Sequence, residues 1–399
     1  MARDTTHNAF MRSVVISDLH FGDPYGCDLL RYAWVRERLW PLLQDADELI
    51  LLGDTWELAF QNLAVAIETS KPFFAELSAR FPGITVRCLP GNHDHHFVVQ
   101  AADERRERAA LGLPDRDQFA VAPVERILKR LCPGVRVRSD YPLYERDGIC
   151  FTHGHYLSSH LDAFGWRSFD RLQWWIWNQQ PRRDGLTGAD YEALMSPLHE
   201  LCYQVAQLPD GVRAQQELER LLSRLGTLAS LPGHLSHRVQ RLAGGARELL
   251  AQQAPPAEPP TLPVDTHPVE YLRAMASVAA NLGLAERSTQ LVFAHTHTPL
   301  AHATLTDEPY WTFHNSGSFF YDYRAAGKDG YWTRCWPGSA LEVVGDQVIL
   351  HRLLSEADLT EFRPATNRPE AREAARKARG TRRLRRSRIG EMVSDSADS

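Results

Sequence analysis

Short apolar runs alternate with longer amphipathic segments through the first 155 residues of the chain. Val14–Ser17, Glu48–Leu52 and Ile84–Leu89 are short and rich in β-branched or leucine side chains, a pattern typical of buried strands. Residues 29–43 and 64–80 instead carry apolar side chains at roughly helical spacing. This alternation predicts helices packed on a sheet.

The pattern changes after residue 155. Residues 156 to about 253 are mostly helical in character, with breaks at Pro181, 209–211 and 232–233, and a proline-rich stretch from 254 to 268 indicates a linker or extended loop. Residues 268–284 again favour a helix and Gln290–Phe293 a strand. Alternating residues on both sides of Gly345-Asp346 predict a hairpin.

These patterns divide the chain into four parts. We predict a core built from residues 1–155 and 268–356, interrupted by a helical insertion or cap at 156–267. Residues 357–399 form a basic tail. Between Arg363 and Gly390 the tail has ten arginines and one lysine against two glutamates, and it lacks an apolar period, so we expect it to be disordered.

Composition narrows the class of protein. The 399-residue chain is 43% hydrophobic, enough for a sizeable core, and its net charge of −5 does not suggest a protein that coats nucleic acid. We find no apolar signal segment at the start and no run approaching the ~20 apolar residues of a membrane span. The six cysteines have no paired spacing, which favours reduced thiols. We therefore expect a cytoplasmic protein.

Five short polar blocks occur along the chain, most of them at the ends of predicted strands. They are Asp18-Leu19-His20, Gly53-Asp54, Gly91-Asn92-His93-Asp94, His153-Gly154-His155 and Ala294-His295-Thr296-His297. Each block alone is weak evidence for a site. Most of them, however, directly follow an apolar run, and open α/β sheets place their ligand sites at the ends of such strands. The blocks therefore predict one shared site at the strand ends.

The residue types in these blocks suit a pair of divalent metal ions. Two ions about 3.5–4 Å apart need a bridging carboxylate, neutral imidazoles, oxygen donors and an open position for water. Asp54 follows a glycine and suits the bridge, while Asn92 offers a neutral carbonyl oxygen. Mixed nitrogen and oxygen ligation without thiolates favours Mn²⁺, with Fe and Zn²⁺ as alternatives, over Ca²⁺.

The set of blocks resembles the calcineurin-like metallophosphoesterases, over roughly residues 13–155 and 290–352. The resemblance implies an α/β fold, a four-layer α/β/β/α sandwich, here with the helical cap. It implies that the first metal is held by Asp18, His20, Asp54 and His297, and the second by Asp54, Asn92, His153 and His295. His93 would stabilise the phosphoryl charge and protonate the leaving oxygen, and Asp94 would orient His93. Ala294 and Ser316 depart from the family's usual glycine and proline without removing a ligand.

The same resemblance implies a metal-dependent hydrolase of phosphate mono- or diesters, in which a metal-bridging hydroxide attacks phosphorus. One alternative is a lipid-linked nucleotide pyrophosphate hydrolase similar to the UDP-2,3-diacylglucosamine hydrolases. A cluster of tryptophans at 166–177 favours it, but that group typically has arginine where His93 stands.

Two further alternatives stay open. One is a nuclease, for which the Arg-rich tail would provide nucleic-acid contacts, and the other is a non-catalytic scaffold of the same fold. The expected partner is a phosphorylated small molecule or lipid. We expect no transmembrane segment, but contact with a membrane surface stays open as an alternative.

Overall fold

The computed structural model describes residues 11–113, 119–160, 185–218, 221, 267–284, 287–305, 310–321 and 336–362. The tryptophan cluster at 166–177, residues 254–266 of the predicted linker, and the tail from 363 onward lie outside these ranges. Within them, no helix combines the length and apolar character needed to cross a membrane.

Eleven strands form two sheets in the described residues. The strands are β1 (Arg12–Ile16), β2 (Glu48–Leu52), β3 (Thr85–Leu89), β4 (Arg136–Ser139), β5 (Leu143–Arg146), β6 (Ile149–Thr152), β7 (Gln290–Phe293), β8 (Leu300–Ala303), β9 (Thr312–Asn315), β10 (Ser339–Val344) and β11 (Gln347–Arg352). The first sheet has the order β11-β10-β1-β2-β3-β4 and the second β5-β6-β7-β9-β8. Strands β1 to β4 run parallel, as do β6, β7 and β9, so the carboxyl ends within each group meet at one edge.

The helices of the described residues are α1 (Ala33–Leu43), α2 (Leu63–Arg80), α3 (His96–Ala110), α4 (Ala122–Leu131), α5 (Gly188–Ala206), α6 (His267–Asn281) and α7 (Glu356–Glu361). Short 3₁₀ segments cover Leu29–Arg31 and His155–Ser159. Helix α5 lies in the predicted insertion. The chain turns after Ala206, and residues 211–218 are again helical, so this turn falls near the predicted break at 209–211. Helix α7 occupies the first residues of the predicted tail.

Alternation along the strands explains how the sheets are buried. Val14 and Ile16 of β1 belong to one apolar cluster with side chains of α1 and α2, whereas Val15 belongs to a second cluster. That second cluster also contains Phe151 of β6 and Val292 of β7, so it lies between the two sheets. The far face of the second sheet packs against α6.

The predicted α/β class is therefore confirmed, with two sheets and several helices. The strands predicted at 48–52 and 290–293 and the hairpin around Gly345 are present. The four-layer order and the domain boundaries stay predictions.

Candidate metal centre

The structure brings the polar blocks together at the carboxyl ends of the parallel strands. Asp18 follows β1, Asp54 follows β2, and Asn92 follows β3, all in the first sheet. His153 follows β6 and His295 follows β7 in the second sheet. The site therefore spans both sheets, and residues far apart in sequence meet there.

The turns that carry these side chains share an uncommon backbone conformation. Of the eight non-glycine residues with positive φ in the described ranges, five belong to the blocks: Asp18, His20, Asp54, His295 and His297. Aspartate and histidine tolerate the left-handed region better than most residues do. Such conformations concentrate at functional sites because the surrounding structure must hold them in place.

Glycine is required where two blocks approach each other. Gly53 has a φ of +89°, and a Cβ there would lie 2.1 Å from Nδ1 of His153. A Cβ on Gly91 would lie 2.2 Å from Oδ1 of Asp54. Both distances are far below any real contact, so the Gly-Asp and Gly-Asn pairs of the motif allow the strand ends to pack closely around Asp54.

The first group of candidate ligands is Asp18, His20 and His297, whose ligand atoms lie within 4.8 Å of one another. Nε2 of His297 is 3.0 Å from Oδ1 of Asp18, and Nε2 of His20 is 4.0 Å from the same oxygen. Nε2 of His20 is also 3.8 Å from Oδ2 of Asp54. These are the four side chains expected for the first metal.

The second group is Asp54, His153 and His295, again within 4.8 Å of one another. Nε2 of His153 lies 3.4 Å from Oδ2 of Asp54 and 3.1 Å from Oδ1 of Asn92. Nδ1 of His153 donates to the carbonyl of Leu52 at 2.9 Å, which leaves the Nε2 lone pair for a ligand. Asp54 Oδ2 thus faces both groups, as a bridging carboxylate should.

The donor set fits a pair of divalent ions. Nε2 of His20 is buried and has no hydrogen-bond partner among the described residues. The carboxylate oxygens of Asp18 and Asp54 lie near it, at 4.0 and 3.8 Å, but beyond hydrogen-bond distance. A buried polar atom left in this way costs free energy unless something binds it. A cation between the two groups would satisfy that nitrogen and offset the two buried carboxylates.

The charges of the site are strongly coupled. Burial raises the pKa of Asp54, but the neighbouring His153 and His93 outweigh burial and hold that pKa well below its ordinary value. Burial lowers the pKa of His153, whereas Asp54 and Asp18 raise it, to about 9. Without metal, protonated imidazoles therefore balance the carboxylates, and bound cations would take over that role.

A buried glutamate supports the site, and the sequence patterns did not identify it. Oε2 of Glu57 accepts a hydrogen bond from Nδ1 of His20 at 2.7 Å, and Oε1 accepts one from Nδ1 of His93 at 2.6 Å. Burial raises the pKa of Glu57, but the charges and hydrogen bonds of the two histidines lower it to about 2. One carboxylate therefore orients both rings and directs their Nε2 atoms away from itself. Its sequence signal is an acidic residue between the apolar Trp56 and Leu58.

His93 and Asp94 occupy different surroundings. The His93 ring lies 4.5 Å from the His20 ring and is 20% exposed, so it borders the candidate metal site and solvent. Burial lowers its pKa, but Glu57 and Asp54 raise it to about 10. Asp94 accepts hydrogen bonds from the backbone N–H of Gly91 and Thr55 at 2.6 and 2.8 Å. Asp94 thus holds the turn, while the carboxylate bonded to the His93 ring is Glu57.

The segment after β9 supports the last two histidines. The amide of Asn315 donates to the carbonyl of Ala294 at 3.0 Å and to Oγ1 of Thr296 at 3.1 Å. Oγ of Ser17 contacts Oγ of Ser316 at 2.7 Å, which connects this segment to the turn that carries Asp18. Asn315 and Ser316 therefore fix the His295–His297 turn against the first block.

Comparison with known proteins gives the family. Residues 11–203 match the model of the calcineurin-like phosphoesterases. This match identifies a calcineurin-like phosphoesterase domain in the chain and supports the metallophosphoesterase superfamily. The family supports phosphoester hydrolysis as the general activity and typically uses a dinuclear metal site. A comparison with curated proteins finds no significant match.

Two solved structures with weak similarity are phosphatases. One, a cold-active protein tyrosine phosphatase, is 12% identical, with 86% of this chain and 77% of that chain covered and a TM-score of 0.29. Another, a cold-active protein-tyrosine phosphatase of a psychrophile Shewanella sp., is 13% identical, with 86% and 78% covered and a TM-score of 0.27. TM-scores this low carry no argument about fold or activity.

Proposed function

We propose that this protein hydrolyses a phosphate mono- or diester at a dinuclear metal centre. The observation that carries the proposal is the pair of ligand groups around Asp54, one with Asp18, His20 and His297, the other with His153 and His295. Two bound divalent ions would lower the pKa of a water molecule and neutralise the phosphoryl oxygens. The nitrogen and oxygen donors favour Mn²⁺.

The chain's own residues provide orientation and a proton. Glu57 holds Nδ1 of His93, so the ring presents Nε2 to the space beside the metal ligands. In the metal-free protein, Glu57 and Asp54 raise the pKa of His93 to about 10, and the hydrogen bond from Nδ1 to Glu57 would also favour the protonated ring beside bound ions. As the bond between phosphorus and the leaving oxygen breaks, Nε2 of His93 donates its proton to that oxygen, and a neutral imidazole remains.

The decisive test is Asp54→Asn. We expect kcat for an aryl phosphate, assayed with Mn²⁺, to fall below about a thousandth of the wild-type value, because the shared carboxylate is worth several kcal/mol of transition-state stabilisation. Metal analysis should show that the variant retains fewer ions. Asp147→Asn is a matched control, since Asp147 also has a positive φ, of 52° against 51° for Asp54, but is exposed at a turn.

Wild-type turnover in Asp54→Asn would refute the dinuclear mechanism. The substrate class would be identified by a hydrolysis panel on the wild-type enzyme, with Mn²⁺, Zn²⁺ and Mg²⁺ compared. The panel contains aryl monoesters, diesters, nucleic acids and lipid-linked nucleotide pyrophosphates. A wild-type protein that binds no metal and hydrolyses none of them would instead favour a non-catalytic scaffold.

A further inference from the structure

A second, partly buried glutamate connects α5 to the loops of the candidate metal centre. Oε2 of Glu192 accepts hydrogen bonds from Nε2 of His95 and Oγ of Ser196, both at 2.8 Å. Oε1 accepts one from the hydroxyl of Tyr156 at 2.5 Å and another from the hydroxyl of Tyr141. Four donors thus converge on one carboxylate, and three of them come from outside α5.

The three outside donors flank the ligands expected for the second metal. His95 directly follows the Gly91–Asp94 turn, which carries Asn92. Tyr156 lies in the 3₁₀ segment that follows His153 and Gly154. The Tyr141 hydroxyl also lies 3.3 Å from Nε2 of His155, within the same segment.

The same 3₁₀ segment reaches the remaining ligand. Oγ of Ser158 lies 3.0 Å from Nε2 of His295. Anchoring this segment therefore limits the freedom of His153, which lies two residues before it, and of His295 beside it. The first-metal group has a different support, because His20 is held by Glu57.

We infer that Glu192 is a positioning residue that fixes the second-metal ligands through its hydrogen bonds to His95, Tyr141 and Tyr156. This inference rests on the proposed function. It gives the insertion a direct influence on the metal centre, because α5 lies within the predicted cap. A carboxylate is suited to the role, since hydrogen bonds to a charged acceptor are stronger than those between neutral groups.

The chain provides a matched control on the same helix. Glu200 lies two turns further along α5 and accepts a hydrogen bond from Nδ1 of His96 at 2.7 Å. The His96 ring stacks on Tyr203 of α5 with centroids 3.5 Å apart. Glu200 therefore makes the same kind of contact with the neighbouring histidine, but His96 is the first residue of α3 rather than part of the turn that carries Asn92. Glu192→Gln and Glu200→Gln remove the same charge from the same helix.

The experiment is calorimetric titration of the metal-stripped full chain with Mn²⁺. The wild type should bind two ions per chain. In Glu192→Gln the amide nitrogen cannot accept hydrogen bonds, so part of the anchor is lost and one binding step should weaken about tenfold, as expected for a support behind metal ligands. The other step should stay within about twofold of the wild type, and Glu200→Gln should leave both steps within that range.

A second variant keeps the test decisive if Glu192→Gln folds poorly. Tyr141→Phe removes only the hydroxyl between Glu192 and His155, and it should weaken the same step in the same direction at an unchanged melting temperature. If both variants bound two Mn²⁺ ions as tightly as the wild type, the role of Glu192 would be overturned, while the proposed function would stay intact. Equal weakening of both steps would also overturn it, because that result means general destabilisation. A wild type that binds no Mn²⁺ would refute the proposed function itself.

Discussion

His93 and His95 lie two residues apart, and each bonds a glutamate, yet the two pairs have different surroundings. His93 bonds Glu57, which is also bonded to His20, and its ring is 20% exposed beside the metal ligands. His95 bonds Glu192 of α5, and its ring is only 1% exposed. The His93 ring is therefore open to solvent beside the candidate metal ligands, whereas the His95 ring is enclosed between the core and α5.

The comparison shows that a histidine–glutamate pair has no fixed role. A ring bordering both solvent and a cation site can transfer a proton to a bound group, because the leaving oxygen can approach it. A ring enclosed by α5 and Tyr141 can only hold neighbouring segments in place. Location, rather than residue type, separates the candidate acid from the structural support.

The largest expected difference between the pairs is in turnover. His93→Asn should lower kcat for an aryl phosphate about 1000-fold, because a positioned general acid contributes roughly 10²–10⁴. Metal content, measured by elemental analysis, should be unchanged. His95→Asn should lower kcat by less than about tenfold, since it removes one contact of the support. Similar losses of kcat in the two variants would mean that His93 and His95 do not differ in role.

An intermediate effect is expected from Glu57→Gln. One amide cannot orient both His20 and His93 as the carboxylate does, so kcat should fall by about 10–100-fold, and one Mn²⁺ ion should bind more weakly. Steady-state kinetics and calorimetry on the same preparation would measure both. If the variant kept wild-type kcat, the shared carboxylate would have no part in directing these rings.

The smallest expected effect is on stability, and it depends on pH. Burial raises the pKa of Glu192, but its hydrogen bond to His95 and the charge of His95 outweigh burial and lower the pKa from 4.5 to about 2. A lowered carboxyl pKa stabilises the fold above the unfolded-state value, and this stabilisation is lost as the pH falls from about 4.5 towards 2. Denaturant unfolding should therefore show the wild type more stable than Glu192→Gln at neutral pH.

That difference in unfolding free energy should shrink below pH 4.5, the ordinary value for this carboxyl group. Glu200→Gln provides the control under the same conditions. A difference between wild type and Glu192→Gln that stays constant across the acid range would mean that the glutamate is not held as an anion by its partners.

The sequence patterns predicted the strands and most of the side chains around the site. Strands such as β2 and β7 were identified at their observed bounds, because buried parallel strands are continuous apolar runs. The metal-ligand candidates were identified because they directly follow such strands. Their assignment to particular metals stays a prediction.

The supporting glutamates were harder to predict. Glu57 lies three residues after Asp54, and its position between Trp56 and Leu58 could have indicated a buried carboxylate. Glu192 had no such signal, because it lies 97 residues from His95 in a helix that carries two other acidic residues, Asp190 and Glu200. Only the docking of α5 onto the loops shows that this carboxylate is the one that accepts the four hydrogen bonds.

The sequence alone indicated the family, several of the strands and the donor atoms available to a metal, because these depend on local chain direction and residue chemistry. The order of the strands in each sheet, and which carboxylate orients which histidine, emerge only in the folded structure. Hydrogen bonds form only where atoms come within about 3 Å, and for residues remote in sequence that distance is decided by packing of whole elements. The roles of Glu57 and Glu192 are therefore properties of the fold rather than of the motif.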